Sequence, residues 1–152
     1  MLLARGLCFV GLLAGCTDDS SDDPGDVPTD GHVTLTLDGT THVFDGGTTG
    51  LRARAGLIQS SAFKPNGTEL VTLATPDAVG VTVLGVDGGV NLNISVGGVA
   101  YTATDHPGTL TVTAISSTRV SGTFSGEVEH ADVDTIVLPV TNGSFDIPLT
   151  EL

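Results

Sequence analysis

The chain has 152 residues and an acidic composition, with 18 Asp and Glu against 5 Lys and Arg and a formal net charge of −13. A charge of this size and sign opposes binding to nucleic acid and to anionic lipid headgroups. The length suffices for one domain with a hydrophobic core, and the abundance of Thr, Val and Gly favours strands and tight turns over helices.

The first fifteen residues have the pattern of a secretory signal peptide. Arg5 is their only charged residue, and residues 6–13 form an apolar core of suitable length. The acidic run that begins at Asp18 ends this stretch too early for a membrane-spanning helix, which needs about twenty apolar residues.

The segment Leu13-Ala14-Gly15-Cys16 follows the apolar core and resembles the lipobox of bacterial lipoproteins. The resemblance implies that a signal peptide of residues 1–15 is cut between Gly15 and Cys16, and that Cys16 carries the lipid. Attachment through two or more acyl chains is stable, so the implied partner is a membrane held through this anchor. An ordinary signal peptide cut without lipidation and an uncleaved anchor are the alternatives. Because Cys8 would leave with the signal peptide, no disulfide is expected.

Residues 16–30 are expected to form a disordered acidic linker, called the tether below. They contain six aspartates and two prolines, and Val27 is their only sizeable apolar side chain, so they cannot bury enough surface to offset the entropy of ordering. The tether is a solvated spacer in one interpretation. In the other it is a sorting signal, since acidic residues behind a lipidated cysteine resemble the surface-export signal of some Gram-negative lipoproteins. Thr17 stands where the inner-membrane retention signal has Asp, so the outer membrane is expected, with surface exposure as a further step.

Residues 31–152 are expected to form one all-β domain that opens with a hairpin. Apolar and Thr residues alternate over 33–37, and Asp38-Gly39 suits the positive φ angles of a two-residue turn into 40–44. This register places His42 opposite Leu35 on an apolar face. We interpret His42 as a packed or edge-exposed side chain and not as a metal ligand, because no other ligand lies at a suitable spacing.

The following strands are separated by turn sequences. Residues 45–50 are expected to be a loop, and one strand is expected at 57–63. Arg52 and Arg54 form a basic spot that we interpret as salt-bridged or solvated. Further strands are expected at 69–74, 79–86, 90–96, 99–104, 110–115, 120–130 and 136–140. This spacing predicts a single antiparallel β-sandwich, with a partly open β-barrel as the alternative.

The strand at 120–130 shows the clearest alternation. Phe124 shares one face with Gly122 and Gly126, and Ser125 lies on the other. A glycine on each side of an aromatic side chain leaves room for a ring over bare backbone, which is a packing explanation. The serine stands one place too late for the nucleophile elbow of hydrolases.

Near the end of the chain, Asn142-Gly143 predicts a second hairpin turn that would pair Val140 with Phe145. Pro139 and Pro148 conflict with this pairing, because each would fall where the ladder needs an N–H group. Either the ladder is short or the loop is longer than two residues.

The segments 120–125 and 141–145 together resemble the C-terminal half of uncharacterised small bacterial lipoproteins, which pair a lipobox with one compact β domain. The resemblance implies a fold and no functional residues.

A cluster of acidic side chains follows the long strand. Glu129, Asp132 and Asp134 are weak calcium candidates, because oxygen ligands on alternate residues suit Ca²⁺. We interpret the cluster as a solvated strand edge that discourages aggregation. Asp105-His106 could act as an acid–base pair but has no recognisable partner in the sequence.

Three functions remain open. The expected one is a monomeric, surface-displayed structural or interaction module without a cofactor, whose partner is a protein or a glycan. The alternative is a carbohydrate- or ligand-binding sandwich, which an exposed Tyr101 beside a concave sheet face would favour. A hydrolase would require distant residues to converge, so no enzyme activity is expected and no catalytic residue is assigned.

Overall fold

The computed structural model describes residues 30–53, 55–85 and 90–150. All regular elements within these ranges are strands, which confirms the predicted all-β class. None of the described residues belongs to a helix long and apolar enough to cross a membrane. The predicted signal peptide, the cleavage and lipidation site at Gly15 and Cys16, and the tether up to residue 29 lie outside the described residues.

The described residues form eleven strands. They are β1 (His32–Leu37), β2 (Thr40–Phe44), β3 (Gly47–Ala53), β4 (Leu57–Phe63), β5 (Leu70–Pro76), β6 (Gly80–Leu84), β7 (Leu92–Val96), β8 (Val99–Thr102), β9 (Gly108–Ile115), β10 (Arg119–His130) and β11 (Val133–Thr150).

The sheet is arranged around the long hairpin of β10 and β11, which turns at Ala131 and Asp132. On one side of the hairpin, β11 pairs with β1, which pairs with β2. On the other side, β10 pairs with β9, which pairs with β6. These six strands form the first layer.

The second layer consists of β3, β4, β5, β7 and β8, and it joins the hairpin at both edges. Leu149 and Thr150 of β11 pair in parallel with β3, and Glu129 and His130 of β10 pair with β8. Seven strands of the one sheet therefore close a circuit of hydrogen bonds, as in a barrel, and the strands enclose one hydrophobic core. The β11–β3 contact is parallel, and the other pairings are antiparallel.

The first hairpin has the predicted register. Asp38 and Gly39 have φ angles of 45° and 79°, as a two-residue turn of this type requires. Leu35 lies opposite His42, and the β1 side chains that alternate with threonine are buried. The local pattern therefore determines both the turn and the buried face.

The expected loop at residues 45–50 covers only Asp45 and Gly46, and the expectation was wrong from Gly47 onward. Strand β3 begins at Gly47 and pairs with β4 along its whole length, with Thr49 opposite Ser61. The segment DGGTTG resembles a loop in composition, but Gly47 and Gly50 lie in a strand because the neighbouring strand supplies the hydrogen bonds. Gly50 also needs its missing side chain, since a Cβ there would lie 2.8 Å from a methyl carbon of Leu149.

The predicted turn at Asn142-Gly143 was also wrong, because both residues lie inside β11. The register of β11 shifts there against both neighbours, between Phe124 and Gly126 of β10 and between Thr34 and Thr36 of β1. This is a β-bulge, and the φ of 50° at Asn142 serves the bulge as it would have served a turn. The turn that precedes β11 lies instead at residues 131–132, between β10 and β11.

Two phenylalanines of the hairpin lie over glycines of the opposite strand. Phe145 is opposite Gly122 and Phe124 is opposite Gly143. The two rings are buried with their centroids 6.4 Å apart. Ser125 points to solvent, so both face assignments for the long strand are confirmed.

Candidate functional site

A depression of about 330 Å³ opens where the first hairpin meets the ends of the second layer. We call it the end pocket. It is lined by Leu37, Asp38, Thr40, His42, Glu69, Val96, Gly97, Tyr101 and Leu138. It adjoins the C-terminal end of β1, a strand that spans roughly 17 Å from its first residue to its last.

Three charged or titratable side chains meet at the wall of the end pocket. The Lys64 ammonium contacts Glu69 Oε2 directly. Nδ1 of His42 lies 3.3 Å from Lys64 Nζ and 3.8 Å from Glu69 Oε2. The Lys64 ammonium also lies 5.8 Å from the centroid of the Phe44 ring, a distance suited to a cation–π contact.

The surroundings of this cluster set its protonation. The hydrogen bond from Lys64 holds the pKa of Glu69 below its usual value, helped by a backbone hydrogen bond from Gly97. Burial, followed by the nearby charge of Lys64, lowers the pKa of His42 below 6.5. At pH 7 the lining therefore presents the Glu69 carboxylate and the neutral His42 imidazole, and Lys64 contacts the carboxylate without lining the pocket itself.

The end pocket has features of a small-molecule binding site. A pocket of this size is at the lower end of the range for small-molecule sites, and perturbed pKa values with convergent polar groups are typical of such sites. The hydroxyl of Thr40 and the carboxylate of Asp38 add further hydrogen-bonding groups to the lining. The lining contains no serine or cysteine that could act as a nucleophile.

Sequence reasoning missed this cluster. It considered His42 alone, because Lys64 and Glu69 follow it 22 and 27 residues later, in the loop between β4 and β5. No short-range pattern links these positions, and the contact depends on how the first hairpin packs against the second layer.

The weak calcium candidates are not brought together. Glu129 Oε2 lies 3.1 Å from His106 Nε2, and Asp132 donates its backbone N–H to His130 Nδ1. Among the described residues, no three His, Cys, Asp or Glu side chains are placed to hold a metal ion. His106, which lacked a partner in the sequence, lies between Glu129 and Glu127.

The predicted basic spot is a structural clamp. The Arg52 guanidinium forms an ion pair with Asp77 at 3.1 Å and donates to the carbonyl oxygens of Ser116 and Ser117. It thus ties β3 of the second layer to the turn between β9 and β10 of the first. The salt-bridged interpretation of Arg52 is confirmed, whereas Arg54 lies outside the described residues.

Tyr101 does not stand on an exposed face. It lies opposite the buried Ile94, is itself half-buried, and meets the His130 ring edge-on at 5.6 Å. The sequence-based condition for sugar stacking on Tyr101 at an exposed sheet face is therefore not met, although the residue does line the end pocket.

The chain matches no protein-family model, no curated protein and no solved structure.

Proposed function

We propose that the protein is a lipid-anchored envelope protein whose β domain is a display module that presents the end pocket to a partner. The lipobox resemblance of residues 13–16 supports the anchor, and the acidic composition of the tether supports a solvated spacer. The proposed location is the outer membrane, because Thr17 follows the cysteine.

The observation that carries the display role is where the chain joins the domain. The carbonyl oxygen of Asp30 accepts a hydrogen bond from Arg119 Nη2 at 3.0 Å, and that of Gly31 accepts one from Thr48 Oγ1 at 3.0 Å. Arg119 is held in turn by Asp146, with its Nε 2.6 Å from Oδ1. The tether is thus fixed to the domain at the start of β1.

The end pocket lies at the other end of that strand, next to Asp38. The pocket is therefore separated by the length of β1 from the point where the tether joins the domain, which leaves it accessible to a partner. This geometry supports a role in which the pocket meets a partner outside the envelope.

Carbohydrate or ligand binding is the second candidate. The end pocket favours it, because a carboxylate, a neutral imidazole and a hydroxyl are the groups that recognise a small polar ligand. Catalysis is not part of the proposal.

The anchor is tested by substituting the two cysteines separately. Cys16→Ser should abolish metabolic labelling with a fatty-acid analogue and release the protein from sedimented membranes, because the thiol is the acylation site. Cys8→Ser is the matched control and should leave labelling and sedimentation unchanged. Labelling that survives Cys16→Ser would overturn the anchor proposal.

A further inference from the structure

A row of hydrogen-bonding side chains crosses the outer face of the second layer. Its members lie opposite one another from strand to strand through β3, β4, β5, β7, β8 and β10. They are Thr49, Ser61, Thr72, Asn93, Thr102 and Glu129. At about 4.8 Å between strands, the row is roughly 24 Å long. We call it the polar row.

An apolar strip runs beside the polar row. It consists of Phe63, Leu70 and Ala100, with the small polar Ser95 between the last two, and the four lie opposite one another on successive strands. Phe63 is 39% exposed and lies beyond the end of the groove described next.

A groove of about 140 Å³ lies between the row and the strip, and we call it the face groove. Leu70, Ser95 and Ala100 line it from the strip, and Thr72, Asn93 and Thr102 line it from the polar row. Its floor is formed at Ile94 and Tyr101, which are opposite each other and belong to the inward-facing set. The groove is apolar along one side and hydrogen-bonding along the other, and it runs across the strands.

The charge distribution selects the kind of ligand. The only charged member of the polar row is Glu129, whose carboxylate is engaged by His106. The six side chains named above as lining the groove are all uncharged, while the chain as a whole has a net charge of −13. A polyanion would be repelled, and the groove offers a cation no counter-charge.

We propose that the face groove binds a linear, uncharged polysaccharide that lies across the strands. The apolar faces of its sugar rings pack on the strip, and its hydroxyl groups exchange hydrogen bonds with Thr72, Asn93 and Thr102. The length of the row matches an extended chain better than a single sugar. The inference specifies the ligand class of the second candidate function and gives it a second site, which shares Tyr101 with the end pocket. It does not depend on the lipid anchor.

The first layer provides a matched control. Its outer face carries a comparable row, in which Thr34, Ser144, Thr123 and Thr111 lie opposite one another between Val43 and Val81. Residue types and strand geometry are similar on the two faces. Substitutions here change the hydroxyl content of the protein without touching the face groove.

The test is affinity electrophoresis of the full chain in a polyoxyethylene detergent, which carries no sugar headgroup. The gels contain soluble β-glucan, xyloglucan or galactomannan as probes, and alginate as the charged comparison. We expect retardation by at least one neutral polymer and none by alginate. Thr72→Val with Asn93→Ala should weaken retardation about tenfold, since each neutral hydrogen bond contributes a factor of a few.

Thr111→Val with Thr123→Val should leave retardation unchanged, and thermal unfolding checks that each variant folds. Ser95→Gln, which places a longer side chain in the groove, should also abolish binding without removing any hydroxyl of the polar row. The proposal would be overturned if the two double variants lost retardation equally, or if retardation survived Ser95→Gln. It would also be overturned if none of the three neutral polymers retarded the protein. None of these results affects the lipid anchor, which the cysteine variants test separately.

Discussion

At the scale of single residues, the centre of the β10–β11 hairpin is packed by two phenylalanine rings, each lying over a glycine of the opposite strand. A Cβ on Gly122 would lie 2.6 Å from the ring of Phe145, and one on Gly143 would lie 2.6 Å from the ring of Phe124. Each phenylalanine therefore occupies the space of a side chain that its opposite residue lacks. The rings fill the core between the layers, and neither can be shortened without leaving a void.

Phe124→Ala should lower the free energy of unfolding by about 3–5 kcal/mol, the usual range for truncating a buried phenylalanine. Ser125→Ala, on the exposed face one residue later, should change it by less than about 0.5 kcal/mol. Chemical denaturation of both variants measures the difference. A Phe124→Ala protein as stable as the wild type would contradict the packing described. A hydrolytic activity lost in Ser125→Ala would contradict the expectation that this strand carries no catalytic residue.

The cluster at the end pocket predicts a dependence of stability on pH. Because the folded pKa of His42 lies below 6.5, the unfolded chain takes up this proton first as the pH falls, and stability is lost below that pH. The lowered pKa of Glu69 acts in the same direction, below about 4.5. Of these two groups, His42 is the one whose contribution should change between pH 7.5 and pH 5.5.

Urea denaturation at these two pH values tests this expectation. His42→Gln should lose less stability on acidification than the wild type, because the substituted side chain does not titrate. His32→Gln, at an exposed position on β1, is the control and should follow the wild type. Parallel losses in the wild type and in His42→Gln would show that burial of His42 does not set the dependence.

At the scale of elements, the sequence predicted those features that are determined within a few residues. The turn at Asp38-Gly39 and the strand at 57–63 match the structure because their signals are local. Asn142-Gly143 carries the same kind of signal but forms a bulge, because β1 and β10 hold β11 continuous on both sides. The conflict that Pro139 and Pro148 created was the one local indication that a turn was the wrong interpretation.

The end pocket could not be predicted in the same way. Its polar groups come from the first hairpin and from the loop between β4 and β5, which meet only when the two layers pack. A pattern search along the chain detects neighbours in sequence, and His42 and Glu69 are neighbours only in space.

The bulge predicts a sharp difference between two glycines of the sheet. Gly143→Ala should lower the free energy of unfolding by about 1–3 kcal/mol, because the new methyl group would press on the Phe124 ring and on its carbonyl oxygen. Gly47→Ala, in β3, meets nothing within 4 Å and should change stability by less than about 0.5 kcal/mol. Denaturation midpoints compare the two, and equal effects would argue against close packing at the bulge.

At the scale of the whole molecule, the domain has two functional ends joined by β1. One end receives the tether through Arg119 and Thr48, and the other holds the end pocket. The clamps at Arg52 and Arg119 both lie at strand ends that adjoin the turn between β9 and β10. The fold therefore separates the start of the domain from the end pocket by the length of β1.

Stability of the domain should not depend on the tether. Limited proteolysis is expected to trim the chain up to about residue 29 and to leave a fragment with the melting temperature of the intact protein. Trimming beyond Asp30 would remove the hydrogen bond to Arg119 and should lower that temperature. A drop of several degrees after cleavage before Asp30 would mean that the tether packs against the domain.

The parallel contact between β11 and β3 determines when the circuit of strands can close during synthesis. Gly50 and Leu51 pair with the nearby strand β4, but their parallel partners Leu149 and Thr150 are made about a hundred residues later in synthesis. Contacts of such long separation form slowly, and the circuit cannot close on a ribosome-bound chain that still lacks β11. The nascent polypeptide therefore keeps an open sheet edge until its last strand has been translated.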